Sequence, residues 1–155
     1  MPRLEEAEAR RRFAAVRVAR LATADAAGRP HQVPVVFAHH TRDGADRLVT
    51  AVDHKPKTTT RLKRLANLAV RPAVCLLVDA YDEDWEQLWW ARADGEARVL
   101  PPDTADAAVR RARETAVALL CAKYPQYGPC PPAGPVIDVT VRRWTGWQAR
   151  AARPS

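Results

Sequence analysis

The sequence predicts a mainly β, α+β domain in which an antiparallel sheet is interrupted by helices. Three observations predict it. Short apolar segments follow one another early in the chain with turn residues between them, the mark of a meander. Three other stretches carry apolar residues at helical spacing. Neither an internal repeat nor a linker divides the 155 residues, so 1–155 reads as one domain with its own core.

Residues 4–18 read as a helix, with Leu4, Ala7, Phe13, Ala14 and Val18 as an imperfect apolar stripe. The stretch RLATADAAGRPHQVPVVFAHH reads as two strands joined at DAAG, where Gly28 can take a positive φ. Asp43-Gly44 marks a second turn, and RLVTAV, 47–52, a third strand. Leu62, Leu65, Ala66 and Ala69 then fall on one helical face, started by Thr58 or Thr59 and ended at Arg71-Pro72. AVCLLVDAY, 73–81, is continuously apolar and reads as a buried strand. LWWARADGEARVL, 88–100, is a long strand with Gly95 at a bend or bulge. Pro101-Pro102-Asp103 opens the longest helix, capped by Asp103 or Thr104, with Ala105, Ala108, Val109, Ala112, Ala116, Leu119 and Leu120 facing inward. Residues 124–135 hold five of the thirteen prolines and form a surface loop. VIDVTV and RWTGWQAR, about 136–150, supply one or two closing strands.

Composition narrows the function classes. Every apolar run is interrupted by Arg, Asp or Pro before it reaches a membrane span. The N-terminal MPRLEEAEARRRFAAV lacks a signal peptide's apolar segment, so the expectation is a cytoplasmic protein. Three cysteines without C-x-x-C spacing fit reduced thiols. The net charge of +7 is spread through every segment and accompanies no recognition-helix, finger or RNP-like pattern, so no nucleic-acid partner is expected. Adjacent His39 and His40 diverge on a strand, and neither H-E-x-x-H nor a Cys/His spacing occurs, so no metal site is expected. The sole serine is Ser155 and G-x-S-x-G is missing, which excludes a conventional serine hydrolase. No catalytic residue is assigned.

Two features carry candidate chemistry. Three of the four lysines, Lys55, Lys57 and Lys63, fall within nine residues of a chain that has twenty-one arginines. Lys55 and Lys57 flank a proline just before a helix start, where free N–H groups and roughly half a positive charge are available. With Thr58 to Thr60 this segment suits a phosphate or carboxylate, each charge-assisted hydrogen bond contributing about 1.5–3 kcal/mol. The same residues also suit an ordinary solvated helix start. The five tryptophans gather at 85–90 and 144–147, as core or subunit packing or as a wall for a planar ring. No G-x-G-x-x-G follows the first strand, so a Rossmann dinucleotide site is excluded. A β-rich chain with an anion cradle and no evident nucleophile suits a cofactor enzyme.

The sequence A-T-x-D-x-x-G-x-P-H-x-x-P-V at 22–35, K-P-K-T…R-L-x-R-L-x-N at 55–67 and the closing R-W-T-G-W resemble the split β-barrel flavin/deazaflavin oxidoreductases related to pyridoxamine 5′-phosphate oxidase, and most of all their F420-dependent branch. The resemblance implies a six-stranded antiparallel split β-barrel with flanking helices, usually a homodimer with the cofactor in a groove between subunits. It implies that Lys55, Lys57, Thr58 and Arg61 bind the cofactor's anionic part. Thr50, Ala51, Val33, Pro34 and Val35 would face its ring. Trp89, Arg92, Trp144 and Trp147 would line a substrate pocket, supplied by the partner subunit. The implied activity is hydride transfer between reduced F420 and an unsaturated small molecule, an F420H2-dependent reductase. FMN is the alternative cofactor, although the second strand, HQVPVVF, lacks the arginine that FMN-binding relatives often use there. A carrier of a flavin, tetrapyrrole or lipid without turnover is the non-enzymatic alternative.

Overall fold

The computed structural model describes residues 3–52 and 59–150, without the side chains of residues 59–62. Before the first helix, Arg3 bridges to Trp147 and the Leu4 N–H donates to the Gly146 carbonyl at 3.0 Å. The helix itself, α1, is shorter than its apolar stripe suggested, Glu6–Ala15, and buries Ala9 and Phe13.

Strands β1 (Ala19–Ala24) and β2 (Pro30–Val35) form a hairpin with Ala19 opposite Val35. Asp25 makes the turn, its carboxylate accepting the N–H groups of Ala27 and Arg29 at 3.0 and 2.9 Å, while Gly28 takes φ of 81°. β3 (Ala38–Arg42) and β4 (Ala45–Ala51) form a second hairpin. Asp43 and Gly44 both have positive φ, 52° and 75°, as a type I′ turn requires.

Helix α2 (Thr59–Val70) follows. The expected stripe is rotated: Ala66 and Ala69 face solvent, while Asn67 and Leu68 are buried against the sheet. The reason is polar, since the Asn67 amide donates to the buried Thr23 hydroxyl of β1 at 3.1 Å. β5 (Ala73–Ala80), β6 (Trp89–Leu100) and β7 (Val136–Gln148) complete the strands. Register shifts by one residue at Asp94/Gly95, the expected bulge; a Cβ on Gly95 would collide with the Thr140 carbonyl of β7. Helix α3 (Ala107–Lys123) begins one turn later than the prolines suggested, capped by Asp106, whose carboxylate accepts from Ala108 and Val109 at 2.9 and 3.3 Å. Ala112, Ala116 and Leu120 form its buried seam, whereas Ala105 and Ala108 are exposed.

All pairings are antiparallel, and the sheet has seven strands in the order β2-β1-β5-β6-β7-β4-β3. The expected antiparallel α+β architecture is what forms, with one strand more than six because the segment after Pro30 divides at Val36 and Phe37. That division closes the barrel. β2 and β3 are opposite edges of the sheet, yet two residues join them, so the edges meet within about 11 Å. Phe37, fully buried, takes its backbone hydrogen bonds outside the ladder, from the Tyr124 hydroxyl.

Leu21, Phe37, Leu48, Leu76, Val78, Ala91, Ala93, Ile137 and Val139 fill the interior with Phe13 and Trp144. The Phe13 ring meets Phe37 and Trp144 edge-on at 5.1 and 5.3 Å. A second cluster lies between the outer face, at Ala38, Val49, Leu100 and Val136, and the seam of α3. Among the described residues no helix is long and apolar enough to cross a membrane.

Candidate functional site

Where β4 ends and β2 crosses into β3, the backbone leaves a gap that the barrel interior does not fill. A cleft of about 460 Å³ opens there, lined by Pro34, Val35 and Val36 from the crossing, Thr50 and Ala51 from β4, Arg64 from α2, and Tyr124, Gln126 and Tyr127. Alternation in β2 turns His31, Val33 and Val35 to the inside and Pro34 to the outside, so the crossing presents a ring, a methyl-rich side chain and bare backbone. Thr50 is buried, and its hydroxyl has no hydrogen-bond partner among the described residues. Buried hydroxyls are ordinarily partnered, so this one is a candidate ligand group of the cleft.

The far wall is held rigidly. The Tyr124 hydroxyl accepts the Phe37 N–H at 3.0 Å and lies 2.8 and 2.9 Å from the carbonyls of Phe37 and Arg17, to one of which it donates. Burial pushes the Tyr124 phenol above its ordinary value, which keeps it a donor. The 3₁₀ turn Pro125–Tyr127 follows directly, with Tyr127 edge-on to Tyr124 at 6.2 Å. Beneath it, Lys123 donates to the Val16 carbonyl at 2.8 Å and stands 3.9 Å from the centre of the Phe37 ring. Burial, with the Arg17 guanidinium nearby, brings the Lys123 ammonium down to about 8. Arg113 fixes the remainder of the proline-rich loop, donating to the carbonyls of Gly134 at 2.8 Å and Pro132 at 3.2 Å.

Of the residues named from sequence, the structure brings Pro34, Val35, Thr50 and Ala51 together on this cleft. Val33 neighbours them in the chain but packs its side chain on the barrel core. Lys55, Lys57 and Thr58 lie outside the described residues, as does the side chain of Arg61. Trp89, Arg92 and Trp147 line a separate cleft of about 350 Å³, and Arg92, Trp144 and Trp147 another of about 540 Å³. Sequence reasoning missed Val36, Arg64, Tyr124, Gln126 and Tyr127. Arg64 follows Arg61 by three residues, one helical turn, which is a usable signal. Nothing local marks Tyr124 and Tyr127, because only the tertiary packing of α3 carries them to the crossing.

His39 has structural employment. A ring nitrogen of His39 lies 2.9 Å from the Asp46 carboxylate, which also accepts from the Trp144 indole at 2.9 Å and from Arg10 at 3.3 Å. Burial raises the Asp46 carboxyl, but these partners outweigh it and hold the group below its ordinary value. Among the described residues no cluster of three or more His, Cys, Asp or Glu could hold a metal ion.

Fold and cleft together define a split-barrel domain whose edges close through the β2–β3 crossing. The family model for pyridoxamine 5′-phosphate oxidase matches residues 5–148, and the chain belongs to that family. No curated protein matches it. Among solved structures it is similar to an FAD-binding protein from Mesorhizobium loti, at 20% identity and a TM-score of 0.67 over 93% of this chain and 94% of that one. A conserved hypothetical protein from Mycobacterium tuberculosis aligns at 21% identity and a TM-score of 0.65, over 98% and 91% of the two chains. The FAD-binding protein from Mycobacterium smegmatis aligns at 17% identity and 0.60, over 95% and 97%. At such identities the likeness is one of fold.

Proposed function

We propose that this chain is an oxidoreductase that holds a flat redox ring of the flavin type in the cleft beside Thr50 and Ala51, and that this ring is the deazaflavin F420. One observation carries the reading. The cleft formed by the crossing and the end of β4 sits where the sequence passes straight into Lys55, Lys57 and Thr58.

The residues present fit such a group. The volume of about 460 Å³ lies within the roughly 300–1,000 Å³ of small-molecule and cofactor sites. Pro34, Val35, Val36 and Ala51 offer apolar surface to a ring face, and the buried Thr50 hydroxyl offers a polar partner to a ring edge. Arg64 adds positive charge on the lining. In this reading Val33 shapes the crossing from its core side, while Lys55, Lys57, Thr58 and Arg61 take the anionic tail. A second copy of the chain contributes Trp89, Arg92, Trp144 and Trp147 to the substrate's side, making the functional unit a homodimer.

When bound, reduced F420 supplies a hydride to an electron-poor double bond such as that of an enone. The chain's own contribution is placement and exclusion of water: the pinned crossing sets where a ring lies, and Tyr124 and Tyr127 shut the far end. No side chain of the cleft is assigned as acid or base, so the balancing proton comes from solvent.

A second reading, FMN or FAD in the same cleft, is favoured by two structurally similar proteins described as FAD-binding. Separate titrations of F420, FMN and FAD, followed by ring fluorescence, decide between them. F420 is expected to bind most tightly and to lose at least tenfold in the Lys55→Ala/Lys57→Ala double variant. Tight FMN or FAD binding with no response to F420 would replace the deazaflavin by a flavin. Turnover of reduced F420 with a panel of enones and quinones then separates a reductase from a carrier.

A further inference from the structure

A second constellation stands on the outer face of the sheet, where β6 and β7 run side by side. Ala91, Ala93, Trp144 and Gly146 are buried on the inner side, so the alternate residues turn outward. Pairing then sets Trp90 opposite Trp147, Arg92 opposite Thr145 and Asp94 opposite Arg143. Arg3 joins them because its segment bridges to Trp147, close over Gly146, where a Cβ would crowd Leu4. The result is a cleft of about 540 Å³ with indoles on its floor and guanidinium groups around it, continuous through Trp90, Arg92 and Trp147 with a neighbouring cleft of about 350 Å³.

Its charge is unbalanced. Arg3, Arg92 and Arg143 face one carboxylate, Asp94, which lies 3.1 Å from Arg92 and 3.7 Å from Arg143. Neighbouring acids on this face are already paired, Asp79 with Arg20 at 3.1 Å and Glu96 with Arg142 at 3.4 Å. The Arg92 guanidinium also lies 5.8 Å from the centre of the Trp90 ring, so ring and cation already share one surface. The Trp147 indole N–H has no hydrogen-bond partner among the described residues.

We propose that this cleft binds a planar aromatic anion, a ring bearing a carboxylate or sulfonate, with its face on Trp90 and Trp147 and its charge held by Arg92, Arg143 and Arg3. A ring without charge leaves the guanidinium excess uncompensated, and a charge without a ring leaves the indoles uncovered. The proposal rests on the flavin-type reading, whose substrate wall uses Arg92, Trp144 and Trp147, and names the class of molecule that wall takes; its binding is tested on the protein without cofactor, apart from the cofactor titrations.

The probe is anilinonaphthalene sulfonate, with uncharged N-phenyl-naphthylamine as its counterpart. The sulfonate is expected to bind saturably, with energy transfer from tryptophan, about tenfold or more tighter than the uncharged compound. Arg143→Ala and Arg92→Ala are each expected to weaken it about tenfold, while Thr50→Val in the first cleft leaves it unchanged. Arg143 is exposed, so its variant keeps the wild-type circular dichroism. Equal affinity for the two compounds, absence of saturable binding, or loss in Thr50→Val but not in Arg143→Ala would overturn the proposal.

Discussion

Tyr124 ties three separate backbone segments with one hydroxyl: the crossing at Phe37, the start of β1 at Arg17, and its own place at the end of α3. Removing that oxygen leaves the buried Phe37 N–H without its partner. Tyr124→Phe is therefore expected to cost about 1–3 kcal/mol in urea unfolding. It is also expected to loosen ligands of the cleft, because Val35 and Val36 lose their fixed position. Its neighbour Lys123 works against the fold at neutral pH. Its folded pKa, about 8, lies below the value near 10.5 of a free lysine, so between these values the unfolded chain binds more protons. Stability is expected to rise as pH increases from about 8 toward about 10.5. Unfolding curves of Lys123→Met should lack that rise. Asp46 behaves in the opposite sense. Its depressed carboxyl contributes stability above the free-carboxylate value, and this is lost as pH falls through the lower folded value. An Asp46→Asn protein should show a shallower acid limb.

Elements were legible where their cause is local. The Asp25 turn, the Asp43-Gly44 hairpin and the Gly95 bulge each follow from a residue whose conformation or size decides the backbone, and each stands where the sequence put it. A methyl on Gly95 meets the Thr140 carbonyl, which cannot move without breaking the β6–β7 ladder. Gly95→Ala is expected to cost about 1–3 kcal/mol, read as a lower urea midpoint at unchanged slope. Elements were misjudged where a distant partner decides. The buried face of α2 is set by Asn67 reaching Thr23, which an apolar stripe does not register. The break between β2 and β3 is set by a tyrosine 87 residues away. The candidate site divides along the same line: Thr50, Ala51, Pro34 and Val35 lie on strands and came together, whereas Tyr124, Gln126 and Tyr127 arrive through α3.

At the scale of the whole molecule, the net charge of +7 and the guanidinium-rich outer face create a field that draws anions in from solution. Association rates of an anionic ring measured by stopped flow should fall as salt is raised from about 0.05 to 0.5 M, while dissociation rates change little. The topology has a further consequence. Among the described residues β7 is the last strand in sequence but an inner member of the sheet, lying between β4 and β6. A growing polypeptide leaving the ribosome therefore carries the β3–β4 hairpin without its ladder partner until residues 136–148 emerge. The domain has to wait for nearly its whole length before the wall can be completed, and a nascent chain stalled ahead of Val136 would expose two half-sheets as prey for chaperones and proteases.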